Sequence, residues 1–308
     1  MPASEFSLIY RYFSSLGQGD AVDLGVGDDC ALLQLGPGER LATSIDTLVA
    51  DVHFFADSFP EDIGYRCIAV ALSDLAAMGA RPLGMTLALT LPEVDEFWLH
   101  AFSEGVAQAS AQYGLPLVGG DTTAGPLTVS VSVMGAVPCD KALLRSGAKV
   151  GDSICVTGTL GDAAAAVDFL RDQWQPTPEV GEFILQQFNR PQIPLALSQA
   201  LLSTATACID VSDGLLADAG HIASASGVKM NIDPSTLPLS AALTAVDDRD
   251  AVLRWALAGG DDYQLCFCLP EGEIVPPGAT CIGSVSEGEG VDCGMEIDFP
   301  AGYQHFGQ

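Results

Sequence analysis

Basic side chains are scarce in this chain of 308 residues. Three lysines and nine arginines stand against 40 aspartates and glutamates, for a net charge of −28. That deficit excludes the Lys/Arg patches a nucleic-acid backbone requires. It equally disfavours an anionic membrane surface. A phosphorylated ligand would be repelled too, unless bound cations reverse the local sign. Most of the acids read as a solvated surface that favours solubility. None of the lysines (Lys141, Lys149, Lys229) follows a Gly-x-x-x-x-Gly loop. There is no kinase Gly-rich loop with a strand lysine and no Gly-x-Ser-x-Gly elbow. The opening Met1-Pro2-Ala3-Ser4-Glu5 has neither the basic nor the apolar part of a signal peptide, and no apolar run of about 18 residues suggests a membrane span. Nine cysteines are scattered, several within apolar runs such as Ile154-Cys155-Val156. They read as small buried hydrophobes in a reducing compartment, and a cytoplasmic protein is expected. Cys266 and Cys268 lack a second Cys or His pair at zinc spacing.

What is present is a chain long enough for two domains, 48% hydrophobic, with strand and helix patterns alternating. An α/β or α+β class is expected. Leu8–Leu16 reads as a short helix, and Cys30–Leu35 and Leu41–Ile45 as strands. Pro60 starts a long helix that Gly79 ends, and Leu83–Leu91 is a strand. Asp95–Tyr113 reads as a helix capped by Gly114. Leu115–Val118 and Leu127–Val137 read as strands around a loop over Gly119–Pro126. Composition shifts near Pro138–Gly151, which divides residues 1–138 from 139–308. The second half reads as strand Ser153–Thr157, helices over 163–171, 179–189 and 194–203, strand Ala207–Val211, helix Ser212–Ser226, helix Arg249–Leu257 and strand Tyr263–Leu269. A Gly-rich tail over Gly278–Tyr303 carries short strands.

Six short motifs are built on aspartate: Gly27-Asp28-Asp29, Ser44-Ile45-Asp46, Ser73-Asp74, Gly119-Gly120-Asp121, Asp210-Val211-Ser212-Asp213 and Gly259-Gly260-Asp261-Asp262. Gathered carboxylates repel one another unless cations sit among them. Hard cations with oxygen ligands, Mg²⁺ above all, suit such a set, and clustered Mg²⁺ usually serves phosphate chemistry. Asp74 stands well inside its helix, on or beside an apolar stripe. An unpaired carboxylate there is costly, so it is either a metal ligand or half of a buried polar pair. Asp29, Asp46 and Asp121 read as strand-end residues, each either a turn former or a ligand. Ser212 and Asp213 open a helix, as an N-cap or as part of a phosphate site. Asp210 has no capping role, whereas Asp162 reads as a cap. His53 follows the Asp46 segment closely, and Arg145 is a cation near the interdomain stretch, suited to phosphate.

Taken in order, these motifs resemble the bacterial thiamine-monophosphate kinase family. They are Gly25-Val26-Gly27-Asp28-Asp29-Cys30-Ala31, Asp46-Thr47-Leu48-Val49 with His53-Phe54, Leu72-Ser73-Asp74-Leu75-Ala76-Ala77-Met78-Gly79-Ala80, Gly119-Gly120-Asp121-Thr122-Thr123, Thr157-Gly158-Thr159-Leu160-Gly161, Ile209-Asp210-Val211-Ser212-Asp213-Gly214-Leu215 and Gly259-Gly260-Asp261-Asp262-Tyr263. The resemblance runs from Glu5-Phe6-Ser7-Leu8-Ile9 to Gly302-Tyr303. It implies a two-domain fold shared with aminoimidazole ribonucleotide synthetase and a homodimer formed through the N-terminal domains. It implies transfer of the ATP γ-phosphoryl group to thiamine monophosphate. By position, Asp29, Ser44, Ile45, Asp46, Asp74, Asp121, Asp210 and Asp213 are the implied Mg²⁺ shell, with Asp46, Asp74 and Asp121 at the catalytic centre. Gly120, Asp121, Arg145 and Ser212 are the implied ATP contacts, and His53, Asp261 and Tyr303 the implied contacts to thiamine monophosphate. Ile45 replaces a usual Thr, so its backbone carbonyl alone can serve. Asp261 and Gln264 stand where the family usually has Glu. The readings that compete are another ATP-dependent enzyme of the same superfamily and a non-catalytic acidic cation-binding protein.

Overall fold

The computed structural model describes residues 5–296 and 298–303. The Met1–Ser4 stretch, read above for a leader, lies outside them. The chain divides into two compact units: Met1–Leu75 with Ala80–Ala142, and Ala76–Gly79 with Leu143–Gln308.

The first unit runs α1 (Glu5–Tyr12), β1 (Val22–Leu24), β2 (Leu32–Leu33), β3 (Glu39–Val49), α2 (Pro60–Ala77), β4 (Arg81–Leu91), α3 (Glu96–Tyr113), β5 (Leu117–Ala124) and β6 (Thr128–Pro138). Four strands form one sheet in the order β3-β6-β4-β5, antiparallel except for β4 and β5. Period-two patterning explains its faces. Val129, Val131 and Val133 of β6 and Leu87, Leu89 and Leu91 of β4 are buried, while Ser130, Ser132, Thr86 and Thr90 alternate with them, half-buried. Helix α2 begins with Pro60 and has Glu61 and Asp62 in its first turn, both favoured at a helix N-terminus. Asp95 caps α3 by accepting the N–H groups of Phe97 and Trp98, and Gly114 ends it at φ 61°. The two helices meet at glycines. A Cβ on Gly105 would lie 1.9 Å from the Glu61 carbonyl oxygen, and one on Gly64 2.3 Å from that of Phe102.

Two expectations fail in this unit. Asp46 does not end a strand, because β3 continues through it to Val49. Nor is Gly119–Pro126 a loop, since β5 carries Gly119, Gly120 and Asp121 in register with Thr86, Leu87 and Ala88. Both are the outer strands of the sheet, where polar groups can sit mid-strand without burial. The expected strand Cys30–Leu35 shrinks to Leu32–Leu33.

The second unit runs β7 (Ser153–Thr157), α4 (Asp162–Leu170), α5 (Pro178–Asn189), α6 (Leu195–Leu201), β8 (Ala207–Asp210), α7 (Leu215–Ser226), β9 (Lys229–Ile232), α8 (Ala241–Thr244), α9 (Arg249–Ala258), β10 (Leu265–Leu269), β11 (Ala279–Ser286) and β12 (Gly290–Asp292). Its sheet has the order β12-β9-β11-β7-β10-β8, antiparallel except for β12 and β9. Ile154, Val156, Ile209, Cys266 and Cys268 from the sheet and Leu215, Ala219 and Ile222 from α7 share one core. Helix α7 starts at Leu215 rather than Ser212, so Ser212 and Asp213 stand before it. Strand β10 starts at Leu265 rather than Tyr263, because Asp261 and Tyr263 adopt φ of 68° and 50° and break the extended run. Six of the nine cysteines are buried, whereas Cys30, Cys139 and Cys281 are exposed; all nine are free thiols. Among the described residues, no helix is long and apolar enough to cross a membrane.

Candidate functional site

In the first unit the implied residues gather on β3 and α2. Ser44 and Asp46 lie two apart on β3 and are half-buried, whereas the Ile45 side chain is 64% exposed on the other face. The Ala50 N–H donates to Leu127 and the Ser44 carbonyl accepts from Ser132 Oγ, so even-numbered residues turn their backbone groups toward β6. By strand alternation the Ile45 carbonyl points to the outer edge of the sheet, where an ion could reach it. Half-buried Asp74 meets Ser44 from mid-helix: Ser44 Oγ donates to Asp74 Oδ2 at 2.5 Å.

His53 lies in the turn after β3. Its Nδ1 accepts the Val49 N–H at 3.1 Å, and its carbonyl accepts from Arg66 Nε at 3.3 Å. Asp29 is exposed, and its N–H donates to Asp28 Oδ1 at 2.8 Å, which gives Asp28 a local turn role. Asp121 is exposed on β5. Gly120 beside it cannot carry a side chain, because a Cβ would lie 2.0 Å from the Leu87 carbonyl oxygen. Asp46 and Asp121 therefore occupy the two outer strands of one sheet. Three strand spacings separate them, roughly 14 Å.

In the second unit the segment 211–214 is the centre. Buried Asp218, which sequence reasoning missed, directs Oδ2 at three successive backbone N–H groups: Ser212 at 2.9 Å, Asp213 at 3.1 Å and Gly214 at 3.1 Å. These three amides, which precede the first helical residue Leu215, are thus engaged by a carboxylate. The signal for Asp218 was available as an acid in the first turn of α7. Burial, then the charges of Asp210 and Asp213, push the Asp218 carboxyl up to about 7 against the pull of the N–H groups. Asp210 is buried at the end of β8, and Asp213 is half-buried.

The carbonyls of the same segment are engaged from the other side. Val211 accepts the Tyr263 N–H at 2.8 Å, Ser212 that of Asp261 at 2.9 Å and Asp213 that of Tyr303 at 3.0 Å. Asp261 Oδ1 also accepts from Tyr263 Oη at 2.7 Å. Asp261 borders a cavity of about 370 Å³, shared with Thr159, Asp162, Gln192, Asp262 and Gln264. Non-glycine residues at positive φ such as Asp261 and Tyr263 often mark functional segments. Asp262 is structural: buried, it accepts the Gly161 N–H at 2.8 Å and so caps α4, where Gly161 has no side chain to do so. Asp162 is also structural, bonded to Thr159 Oγ1 at 2.8 Å and Ser240 Oγ at 2.6 Å. Burial raises both carboxyls above their ordinary value. Arg145 is exposed, in a loop whose backbone is pinned by Ser226 Oγ.

Among the described residues, no three side chains of His, Cys, Asp or Glu come together as a metal-holding group. The donor set still fits Mg²⁺. That ion dehydrates reluctantly and is usually held by one or two carboxylates plus substrate phosphates and water, not by a closed protein cage. All the donors implied here, carboxylates with a hydroxyl and a carbonyl, are hard oxygens.

The family model for the N-terminal domain of AIR synthase related proteins matches residues 27–137. Thiamine-monophosphate kinase of Salmonella typhimurium is 46% identical, covering 99% of both chains. The enzyme of Escherichia coli K12 is 45% identical with the same coverage. The crystal structure of thiamine-monophosphate kinase from Stenotrophomonas maltophilia superposes with a TM-score of 0.84 at 43% identity, over 89% of this chain and 92% of that one. AaThiL complexed with AMPPCP and TMP superposes with a TM-score of 0.82 at 34% identity, over 89% of each chain.

Proposed function

This chain belongs to the thiamine-monophosphate kinase family, and from that premise we propose that it transfers the γ-phosphoryl group of ATP directly to thiamine monophosphate, giving thiamine diphosphate and ADP. The observation that carries this reading is the 46% identity over 99% of the chain. It is further supported by the complex of a 34%-identical relative with AMPPCP and TMP.

The acceptor is a phosphate already ionised at neutral pH, so the chain needs no strong general base. Its difficulty is to bring two anions into line inside a protein of net charge −28. Mg²⁺, when bound, supplies the positive charge between them. Ser44, Asp46, Asp74 and the Ile45 carbonyl hold cations on the first unit, with Asp29 and Asp121 as further ligands. Asp210 and Asp213 hold them on the second. Gly120 presents its backbone to the nucleotide, Arg145 binds its phosphates and Ser212 contacts it. Asp261 and Tyr303 face the thiamine side, with the cavity beside Asp261 for its organic body, and His53 contacts its phosphate. The transfer is in-line, without a phospho-enzyme.

The protein works as a homodimer in this reading. Asp46 and Asp121, on opposite edges of one sheet, are too far apart to share an ion with ligands at about 2.1 Å. A second copy laying its β5 edge toward this β3 completes the shell. The cytoplasm, where ATP is available, is the proposed compartment.

The test is ADP release by the purified protein with ATP and Mg²⁺. ADP should form only when thiamine monophosphate is present. Release driven instead by formylglycinamidine ribonucleotide would point to a purine-pathway synthetase. Absence of release with either substrate would leave a cation-binding protein.

A further inference from the structure

The segment 211–214 joins the two sides of the proposed site. Its carbonyls, at Val211, Ser212 and Asp213, accept the N–H groups of Tyr263, Asp261 and Tyr303. Its amides, at Ser212, Asp213 and Gly214, all donate to Asp218 Oδ2. Nucleotide-side residues and thiamine-side residues thus share one stretch of backbone. Every hydrogen bond just named depends on how that stretch is turned.

An ordinary N-cap does not explain Asp218. A cap side chain reaches forward to the amides two or three residues later. Asp218 reaches back to three residues outside its helix, from the end of its first turn. The cap position itself is closed, because Gly214 has φ 125° and a Cβ there would lie 2.7 Å from the Ala258 backbone. A carboxylate was placed instead at a site 2% exposed, in a region that already holds Asp210 and Asp213. Helix stability alone would not call for that, since burying such a group is costly. What the placement secures is one fixed turn for three amides. It also denies those amides to the nucleotide.

We propose that Asp218 is a positioning residue of the phosphotransfer site, whose single oxygen fixes the 212–214 backbone so that Ser212 and Asp213 are set for the nucleotide and its cations. This rests on the family activity for the identity of the nucleotide, and on the hydrogen bonds alone for the role of Asp218.

Two conservative variants separate an acceptor in the right place from a mere charge. Asp218→Asn keeps an oxygen at the same reach and removes the charge. Asp218→Glu keeps the charge and moves the oxygen by one methylene. Affinity for AMPPCP with Mg²⁺ is read by calorimetry, beside the thermal midpoint of each variant. Asp218→Asn should bind within about threefold of the parent protein, and Asp218→Glu at least about tenfold more weakly, a loss of about 1.4 kcal/mol. Weak binding by Asn with normal binding by Glu would overturn the proposal in favour of Asp218 as a ligand. Both variants within threefold, whatever their thermal midpoints, would overturn it in favour of a stability role. Failure of the parent protein to phosphorylate thiamine monophosphate would sink the family activity without touching this comparison.

Discussion

Ser44 Oγ donates to Asp74 Oδ2 across 2.5 Å, tying the outer strand β3 to the middle of helix α2. The bond holds the Asp74 carboxylate beside the strand that carries Asp46 and the edge-facing Ile45 carbonyl. Asp74→Asn keeps the shape and removes the charge. Turnover should fall by about 100-fold or more, ~2.7 kcal/mol of transition-state stabilisation, with circular dichroism unchanged. Ser44→Ala leaves the carboxylate in place but unoriented. It should raise the Mg²⁺ concentration for half-maximal rate several-fold while costing less in turnover at saturating Mg²⁺. Near-normal turnover by Asp74→Asn at saturating Mg²⁺ would refute the metal role.

The separation of Asp46 and Asp121 on opposite edges of one sheet has its own test. Asp46→Asn and Asp121→Asn are each expected to be inactive alone. Mixed dimers of the two variants bring one intact pair together if the shell is shared between copies. Activity should then return to about half per mixed dimer, since one of two sites is restored. No recovery on mixing would assign each aspartate to an ion within its own copy.

Gly120 offers a stability experiment at the same edge. A Cβ there would overlap the Leu87 carbonyl oxygen at 2.0 Å. The clash is with backbone, which cannot swing aside, so β5 must separate from β4. Gly120→Ala should cost about 3 kcal/mol or more, and a thermal melt should show a drop of well over 5 °C.

Much of this architecture was legible because it is locally encoded. Pro60 and Gly79 bracket α2, Asp95 and Gly114 cap α3, and Ser153–Thr157 is a short apolar run. The errors share a cause. At Asp46 and Asp121 a carboxylate suggests a strand-ending turn, yet on outer strands a carboxylate can sit mid-strand. Asp218 was passed over because it sits inside an apolar helical run, and its bonds run backward along the chain. The residues proposed for the metal shell are marked in the sequence by their ordered motifs. The placement of Asp46 and Asp121 on opposite outer strands is set by strand order, which no local pattern encodes.

Asp261 stands where the family usually has Glu, and its role can be separated from that of the nucleotide site. Its N–H is tied to Ser212 and its carboxylate to Tyr263 Oη. At φ 68° aspartate is tolerated better than most residues. Asp261→Ala should raise KM for thiamine monophosphate about tenfold, one lost charge-assisted contact. KM for ATP should stay within about twofold. Equal changes in both constants would show that Asp261 serves the shared segment and not the substrate.

Asp162 and Asp262 give the protein a pH dependence independent of catalysis. Both carboxyls are raised, chiefly by burial, with hydrogen bonds opposing it. For such acids the folded state holds its proton to a higher pH than the unfolded chain does. Below the ordinary value of 3.8 both states are protonated and the groups contribute no difference. As pH rises above it, the unfolded chain ionises first, and stability falls until the folded carboxyls ionise as well. Asp162→Asn removes one of these groups while keeping partners for the Thr159 and Ser240 hydroxyls. Measured by urea unfolding, its stability relative to the parent should therefore be more favourable at pH 8 than at pH 4. Asp262→Asn should shift in the same direction, since its amide oxygen can still accept the Gly161 N–H. A difference of opposite sign would mean that these carboxylates are stabilised as anions in the folded protein, and that their hydrogen bonds outweigh their burial.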